Sequence, residues 1–269
     1  MVRSRRITLL LVCAGLLLPA AAAAAQPSEV QTIIERSVQA NERDWNAAPL
    51  YNFAEQDVMR GGTRTYEEIM LDGSPYERLI AVNGAPLPDA QQAEELGKFE
   101  SEAAERRAES PQERVERIAR YERSRKRDHL LLSQLTAAFN FTLVGERKLG
   151  DFQVYELKAM PRAGYQPPEM DAQVLRGMEG TLWIDTRTFQ WVKVTARVIR
   201  PVSIGGFLAL VEPGTQFELE KMPVQDDVWL PKHFDMRARA KILFLFSHRA
   251  GKDETYSDYR LAQPELAGK

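Results

Sequence analysis

A long stretch near the C-terminal end alternates between apolar and polar side chains, and it constrains the fold more than any other feature of the sequence. Its apolar positions are Phe234, Met236, Ala238, Ala240, Ile242, Phe244 and Phe246. The alternate positions from His233 to Lys241 carry an imidazole or a charged side chain. Successive side chains of a β-strand point to opposite faces, so the pattern predicts an antiparallel strand that is covered on one side only.

Shorter runs of the same kind predict β-structure through most of the chain. Residues 50–60, 63–71 and 76–82 are separated by glycine-containing dipeptides such as Asp72-Gly73 and Asn83-Gly84. Such dipeptides accept the positive φ of tight hairpin turns. These runs therefore predict a β-meander in the first third of the chain. Similar alternating runs occur again after residue 140.

Two runs in the second half supply candidates for an apolar face. In residues 191–199 the side chains of Val192 and Val194 are expected to face one way, and in residues 215–222 those of Phe217 and Leu219 do the same. The connection 223–227 is short, so the strand with Phe217 and the strand with Phe234 and Met236 are predicted to be antiparallel neighbours with their apolar sides together.

Helices are predicted in two places. Ser28 suits the N-cap of a helix that continues to about Arg43. Residues 89–128 are rich in Glu, Arg, Lys, Ala and Gln, with Ser110-Pro111 as a break and a second helix start. Few apolar positions occur there, and four Glu–Arg or Glu–Lys pairs stand at i,i+4 spacing, among them Glu102–Arg106 and Glu113–Arg117. Residues 89–128 are therefore expected to be a solvated helical arm that contributes little to the core. The whole helical insertion covers about 89–139, and the arm is expected to be anchored where Leu131, Leu135 and Phe139 line one face.

The N-terminus predicts export. Three arginines precede the apolar stretch from Ile7 to Leu18, and an alanine run ends at Ala25. This is the pattern of a cleaved secretory signal peptide, 1–25, with residues 26–269 as one domain in the periplasm. The sequence leaves open whether the general secretory or the twin-arginine route is used. Cys13 lies inside the apolar stretch, and we expect it to be removed with the signal.

Composition and motifs argue against several classes of function. The net charge is -2, without the basic excess of a nucleic-acid-binding protein. The single cysteine and three histidines, His129, His233 and His248, show no metal-ligand spacing, and no nucleophile elbow or phosphate loop is found. The sequence therefore predicts no catalytic residue, no metal and no cofactor.

Several short motifs resemble a known superfamily. They are the strand Gly180-Thr181-Leu182-Trp183-Ile184-Asp185, the later Val228-Trp229-Leu230-Pro231 and the closing Tyr256-Ser257-Asp258-Tyr259. In this order, after a signal peptide and an N-terminal helix, they resemble the exported lipoprotein-sorting proteins, a superfamily with LolA/LolB-like and RseB-like members. The resemblance covers about 28–88 and 140–260, and the charged helices depart from it.

The resemblance implies an α+β fold with an unclosed antiparallel half-barrel and a non-catalytic role in the cell envelope. It implies a concave apolar face that binds lipid acyl chains or lipidated proteins. The residues expected on that face are Trp183, Val192, Val194, Phe217, Leu219, Phe234, Met236 and Phe244. Two alternatives stay open at this point: an envelope protein-interaction or sensor module that uses the arm at 89–128, and an enzyme acting on lipid. A transient contact with a membrane surface is a further possibility.

Overall fold

In the part of the chain that the structure describes, thirteen β-strands form one antiparallel sheet, with helices packed on it. The computed structural model describes residues 28–206, 209–225, 227–242 and 246–262. The predicted signal segment and Phe244 lie outside these residues. No helix in the described ranges is long and apolar enough to cross a membrane. The strands are β1 (Tyr51–Met59), β2 (Gly62–Leu71), β3 (Ser74–Val82), β4 (Ala85–Pro86), β5 (Phe139–Leu149), β6 (Phe152–Pro161), β7 (Met178–Asp185), β8 (Trp191–Val198), β9 (Val202–Ile204), β10 (Ala209–Val211), β11 (Gln216–Gln225), β12 (Val228–Ile242) and β13 (Phe246–Leu261).

The order of the strands makes an open half-barrel. It runs β4-β3-β2-β1-β13-β12-β11-β8-β7-β6-β5, with β9 and β10 as a side branch on β12. The two terminal strands of that order, β4 and β5, are not paired with each other in the described part of the chain. The predicted α+β half-barrel and its meander of three N-terminal strands are therefore confirmed.

The long alternating run near the C-terminus differs from the prediction in one respect. It is not one strand to Phe246, because β12 ends at Ile242 and β13 starts at Phe246. Ile242 and Phe246 are partners across the two strands. The run therefore belongs to two antiparallel strands and not to one. Its periodicity could not reveal the division, because no glycine or proline interrupts the run.

Helix α1 (Glu29–Ala47) packs on one side of the sheet, which we call the inner face. Ser28 caps it by accepting a hydrogen bond from the backbone N–H of Gln31. Its Ile33 and Ile34 are buried in a core with residues of β6, β7 and β8, among them Leu157. Burial of apolar side chains from a helix stripe and a sheet face is the main stabilising contribution to this core.

The charged arm is helical as predicted, but it is not a free solvated arm. Helices α2 (Asp89–Ala108) and α3 (Pro111–Ser133) are followed by the short α4 (Leu135–Ala138). The turn between β2 and β3 lies between α2 and α3. Phe99 of α2 contacts Tyr76 of β3, with ring centroids 5.5 Å apart, on the outer face. On β2, Ile69 is the partner of Tyr76 and therefore faces the same side. The next residue, Met70, faces the inner side, where Tyr121 of α3 contacts it.

Arginines of the arm bind the β2–β3 turn and mostly do not form the predicted helical ion pairs. Arg106 is buried and donates hydrogen bonds to the carbonyl oxygens of Leu71 (2.7 Å) and Ser74 (2.9 Å). Arg117 donates to the Ser74 hydroxyl and to Glu109, not to Glu113. Of the predicted i,i+4 pairs, Glu102–Arg106 is confirmed. The sequence pattern was compatible with these tertiary contacts but could not reveal them.

Replacing Arg106 with methionine is expected to lower the free energy of unfolding by about 2 kcal/mol, since buried carbonyls then lose a charged donor. Urea unfolding followed by circular dichroism measures this loss. Arg107→Met is the matched control, because Arg107 is the exposed neighbour on the same helix. Equal and small losses in both variants would show that the arm is as loosely attached as its composition predicted.

Candidate functional site

A small apolar cavity lies between the inner face of the sheet and the helices that cover it. Its volume is about 50 Å³, and only apolar atoms of the lining residues face it. The lining residues are Leu131, Leu132, Leu135, Phe139, Ala159, Leu175, Met178, Gly180, Leu182, Trp191, Val194, Thr195, Ala196, Phe217 and Leu219. Cavities with apolar walls stay dry and accept apolar ligands, because a water molecule inside finds no hydrogen-bonding partner.

The cavity is roofed by the C-terminal end of α3 and by α4. Three leucines from this segment, Leu131, Leu132 and Leu135, point to the strands. Leu131 and Leu135 belong to the apolar set at which the sequence predicts the arm to be anchored. The same insertion therefore has two parts: a charged part at the β2–β3 turn and an apolar end over the cavity.

A single tryptophan of α1 holds the roof helix. The ring of Trp45 stacks on His129, with centroids 4.7 Å apart, and the guanidinium of Arg125 lies 4.4 Å from the centre of the Trp45 ring. Arg125 also donates a hydrogen bond to the Trp45 carbonyl oxygen, and His129 Nε2 lies 2.9 Å from a carboxylate oxygen of Glu42. These contacts fasten α3 to α1, so displacement of the roof would have to break them.

Five of the predicted face residues lie on the inner face. Val194, Phe217 and Leu219 line the cavity. Phe217 is paired with Met236 and Leu219 with Phe234, which confirms that β11 and β12 are antiparallel neighbours. Phe234 and Met236 are half-buried and extend the apolar row beyond the cavity.

Two predicted face residues are elsewhere. Trp183 and Val192 pack in a separate cluster with Val154 and Trp229. Trp183 stands between two inner-face residues of β7, so its side chain points to the other face of the sheet. On β8, a β-bulge makes Val192 an extra residue that has no partner on β7. Because of this bulge, Trp191 and Val194 both reach the main core, while Val192 points away. The expectation that Val192 and Val194 share a face is therefore wrong, since simple alternation cannot foresee a bulge.

A buried ion pair joins α1 to β11 at one end of the cavity region. Asp44 and Lys221 are both almost fully buried, and the ammonium of Lys221 donates to Asp44 and to Asn41. Burial lowers the pKa of Lys221, and the Asp44 carboxylate opposes that shift. Asp44 also accepts hydrogen bonds from the Trp229 backbone N–H (2.9 Å) and from Gln190 (3.0 Å). This network fixes α1 on the sheet.

Beyond Phe234 and Met236 the inner face becomes acidic. Glu55 on β1, Glu68 on β2 and Glu254 on β13 share this side of the sheet with Asp57. Burial, followed by the charges of Glu254 and Asp57, raises the pKa of Glu55 from 4.5 to about 8. Burial and the nearby carboxylates raise the pKa of Glu68 to about 7. The inner face is therefore amphipathic, with an apolar half under the helices and an acidic half beside it.

The raised pKa values have a definite effect on stability. A carboxyl whose pKa is raised in the folded protein contributes most to stability below its unfolded value of 4.5. That contribution is lost as the pH rises through the folded values of about 7 and 8. Ionisation of Glu55 and Glu68 at neutral and alkaline pH therefore weakens the fold unless a positive charge joins them.

None of these carboxylates is among the site residues that the sequence predicts. Glu55 and Asp57 stand at alternate positions of β1 with Phe53, so strand alternation alone places the three side chains on one face. Glu254 comes from a strand about 200 positions later in the chain, so no spacing rule could bring it to Glu55.

Comparisons with known proteins give only distant likenesses. Neither a family model nor a curated protein sequence matches the chain. Among solved structures, it is similar to a putative outer membrane lipoprotein-sorting protein domain from Vibrio parahaemolyticus, at 10% identity, 87% of this chain, 93% of that chain and a TM-score of 0.34. A DUF1329 family protein from Desulfovibrio piger has 11% identity, 90% and 96% coverage and a TM-score of 0.33. The MucA/MucB complex from Pseudomonas aeruginosa has 14% identity, 82% and 92% coverage and a TM-score of 0.23.

Proposed function

We propose that this chain is an exported, non-catalytic binding protein of the cell envelope that shelters an acyl chain of a lipid or of a lipidated protein. The observation that carries the proposal is the cavity on the inner face, whose walls expose only apolar atoms. An acyl chain in water costs about 0.8 kcal/mol for each CH₂ group, so a carrier must offer an enclosed apolar surface. The lipoprotein-sorting motifs of the sequence point the same way.

Binding of a long acyl chain requires the roof to move. The cavity of about 50 Å³ is far smaller than the roughly 300–1,000 Å³ of typical ligand pockets. The three roof leucines belong to a segment that the cluster around Trp45 joins to α1. Outward displacement of the α3 end would join the cavity to the apolar row that continues at Phe234. The ligand would then replace the leucines against Phe217 and Leu219.

The test is binding of a fluorescent fatty acid to the mature protein and to Ala196→Leu. Ala196 lines the cavity and is the partner of Phe217 on the neighbouring strand, so a leucine there fills space that the ligand needs. We expect about a tenfold or greater rise in Kd for the probe. The cost in stability is expected to stay below about 1 kcal/mol, because the added carbons enter an existing cavity.

Ala81→Leu provides the matched control, since Ala81 lies on β3, outside the cavity lining. It should bind the probe as the wild type does. The proposal would be wrong if the wild type bound no acyl probe, or if Ala196→Leu bound it with unchanged affinity while unfolding normally.

A protein partner is the second candidate. The charged part of the arm favours it, because α2 lies on the outer face, where many of its acidic and basic side chains are exposed. Failure of every acyl probe together with capture of a specific envelope protein by the wild type, but not by variants of the exposed α2 residues, would favour this role over the carrier.

A further inference from the structure

The β12–β13 hairpin carries a run of positive charge with no negative charge in it. Residues 236–252 include three arginines and two lysines but no aspartate or glutamate, in a chain whose net charge is -2. Arg237, Arg239 and Lys241 stand at alternate positions of β12. They share the outer face of the sheet, because Met236 beside them belongs to the inner face. The hairpin therefore presents a basic strip on its outer face.

Two arginines on this face stand directly opposite each other. Arg239 of β12 and Arg249 of β13 are partners across the two strands, and both are exposed. Arg237 and Lys241 each contact a carboxylate. In contrast, the guanidinium groups of Arg239 and Arg249 make no hydrogen bond or ion pair with any residue in the described ranges. Like charges directly opposite each other destabilise a sheet, so an anion from outside would relieve this repulsion.

The basic strip lies on a part of the hairpin that projects from the sheet. Strand β11 is paired with β12 only from Arg237 towards the body of the sheet, and β1 is paired with β13 only from Glu254 onward. Beyond these points, β10 is the one strand that pairs with the hairpin in the described part of the chain. At about 3.3 Å per residue, β12 extends roughly 17 Å past β11, from Arg237 to Ile242. The strip can therefore reach a surface that the body of the sheet does not touch.

Exposed apolar side chains lie beside the strip, at the end of the β1–β2 hairpin. Val58 and Met59 are 51% and 48% exposed, and Arg60 follows them in the turn. The three residues line a groove of about 640 Å³ together with Arg237 and Arg249. Two acidic residues also line this groove, each in contact with an arginine or imidazole side chain: Asp235 and Asp253.

We propose that the projecting hairpin, with Val58 and Met59 beside it, docks the protein on a membrane surface rich in anionic phospholipids. Arg239 and Arg249 bind headgroup phosphates, for which the guanidinium offers paired N–H donors. The two aliphatic side chains contact acyl carbons beneath the headgroups, and this apolar contact adds to the electrostatic attraction. The proposal goes beyond acyl binding, since docking needs no ligand in the cavity.

The test is sedimentation of the mature protein with vesicles of phosphatidylcholine and phosphatidylglycerol in equal parts, and with vesicles of phosphatidylcholine alone. We expect binding to the anionic vesicles and much weaker binding to the neutral ones. Arg239→Gln/Arg249→Gln should weaken binding to the anionic vesicles about 25-fold, because each basic side chain near such a surface contributes about fivefold. Val58→Ser/Met59→Ser should weaken it severalfold, also in high salt.

The charge reversal Arg249→Glu has two readouts that move in different directions. It replaces the repulsion by a cross-strand ion pair with Arg239, so Tm should stay unchanged or rise. Vesicle binding should fall as far as in the double glutamine variant, because the change in net charge is the same. If the arginines served only the fold, Tm and binding would fall together, and that result would overturn the proposal.

Arg107→Gln/Arg114→Gln is the matched control, since it removes two exposed arginines from helices α2 and α3. It should bind vesicles as the wild type does. Ala196→Leu should also dock normally, so a failure of docking is distinguished from a failure of acyl binding. An equal loss in the control, or equal binding to neutral and anionic vesicles, would overturn the proposal. Binding to polyglutamate but to no vesicle would also overturn it, in favour of an acidic protein partner.

Discussion

Replacing Asp44 with alanine is expected to lower the free energy of unfolding by about 3–5 kcal/mol, among the largest effects of any single change in this protein. The variant leaves the buried ammonium of Lys221 without its counterion. It also removes the acceptor of the Trp229 backbone N–H and of Gln190. A buried charge without a partner costs more than the ion pair itself contributes.

Urea unfolding of the single and double variants measures the effect. Lys221→Met in the Asp44→Ala background should restore part of the stability, because the unpaired charge is gone while the Trp229 N–H and Gln190 still lack their acceptor. A loss below about 1 kcal/mol in Asp44→Ala would mean that α1 does not depend on this network.

Replacing Phe217 with aspartate is expected to lower the free energy of unfolding by about 3–4 kcal/mol and to abolish binding of an acyl probe. Phe217 lines the cavity between β11 and the roof leucines, so the variant loses a large apolar contact and places a carboxylate among apolar atoms. Unfolding in urea and fluorescent fatty-acid binding measure the two effects separately.

Two controls distinguish the loss of the aromatic ring from the burial of a charge. Phe217→Leu keeps the site apolar and should cost less than about 1.5 kcal/mol. Val144→Asp introduces the same carboxylate at an exposed position of β5 and should be nearly neutral. A severely destabilised Phe217→Asp, together with a wild type that binds no acyl probe, would exclude the carrier role and leave the interaction module.

Local pattern was sufficient to predict the elements of this fold. Alternation with period two located the meander and the antiparallel pairing of β11 with β12. These predictions succeeded because strand periodicity and turn chemistry act over a few residues. Ser110 is likewise the cap of α3, with the reciprocal hydrogen bonds of a capping box to Glu113. The residues that form such turns, caps and alternating runs are close together in the sequence, so a short window contains the whole pattern.

Predictions about faces failed where the backbone departs from regular alternation. The bulge on β8 moved Val192 out of the face of Val194. The long run that was predicted as one strand belongs to two antiparallel strands, with Ile242 and Phe246 as partners. The bulge shifts the side-chain alternation of its strand by one position, and no glycine or proline marks it.

The sequence by itself determined most of the strands, the helices and an apolar surface that needs covering, and its motifs implied the open half-barrel through their resemblance to a known superfamily. Only the tertiary structure decided what covers that surface, because the leucines after residue 130 reach it through long-range packing. It also decided that Arg106 binds Ser74, 32 residues earlier in the chain, and that Glu55 meets Glu254. Contacts between distant residues depend on the complete sheet, since only the pairing of β1 with β13 brings these carboxylates together.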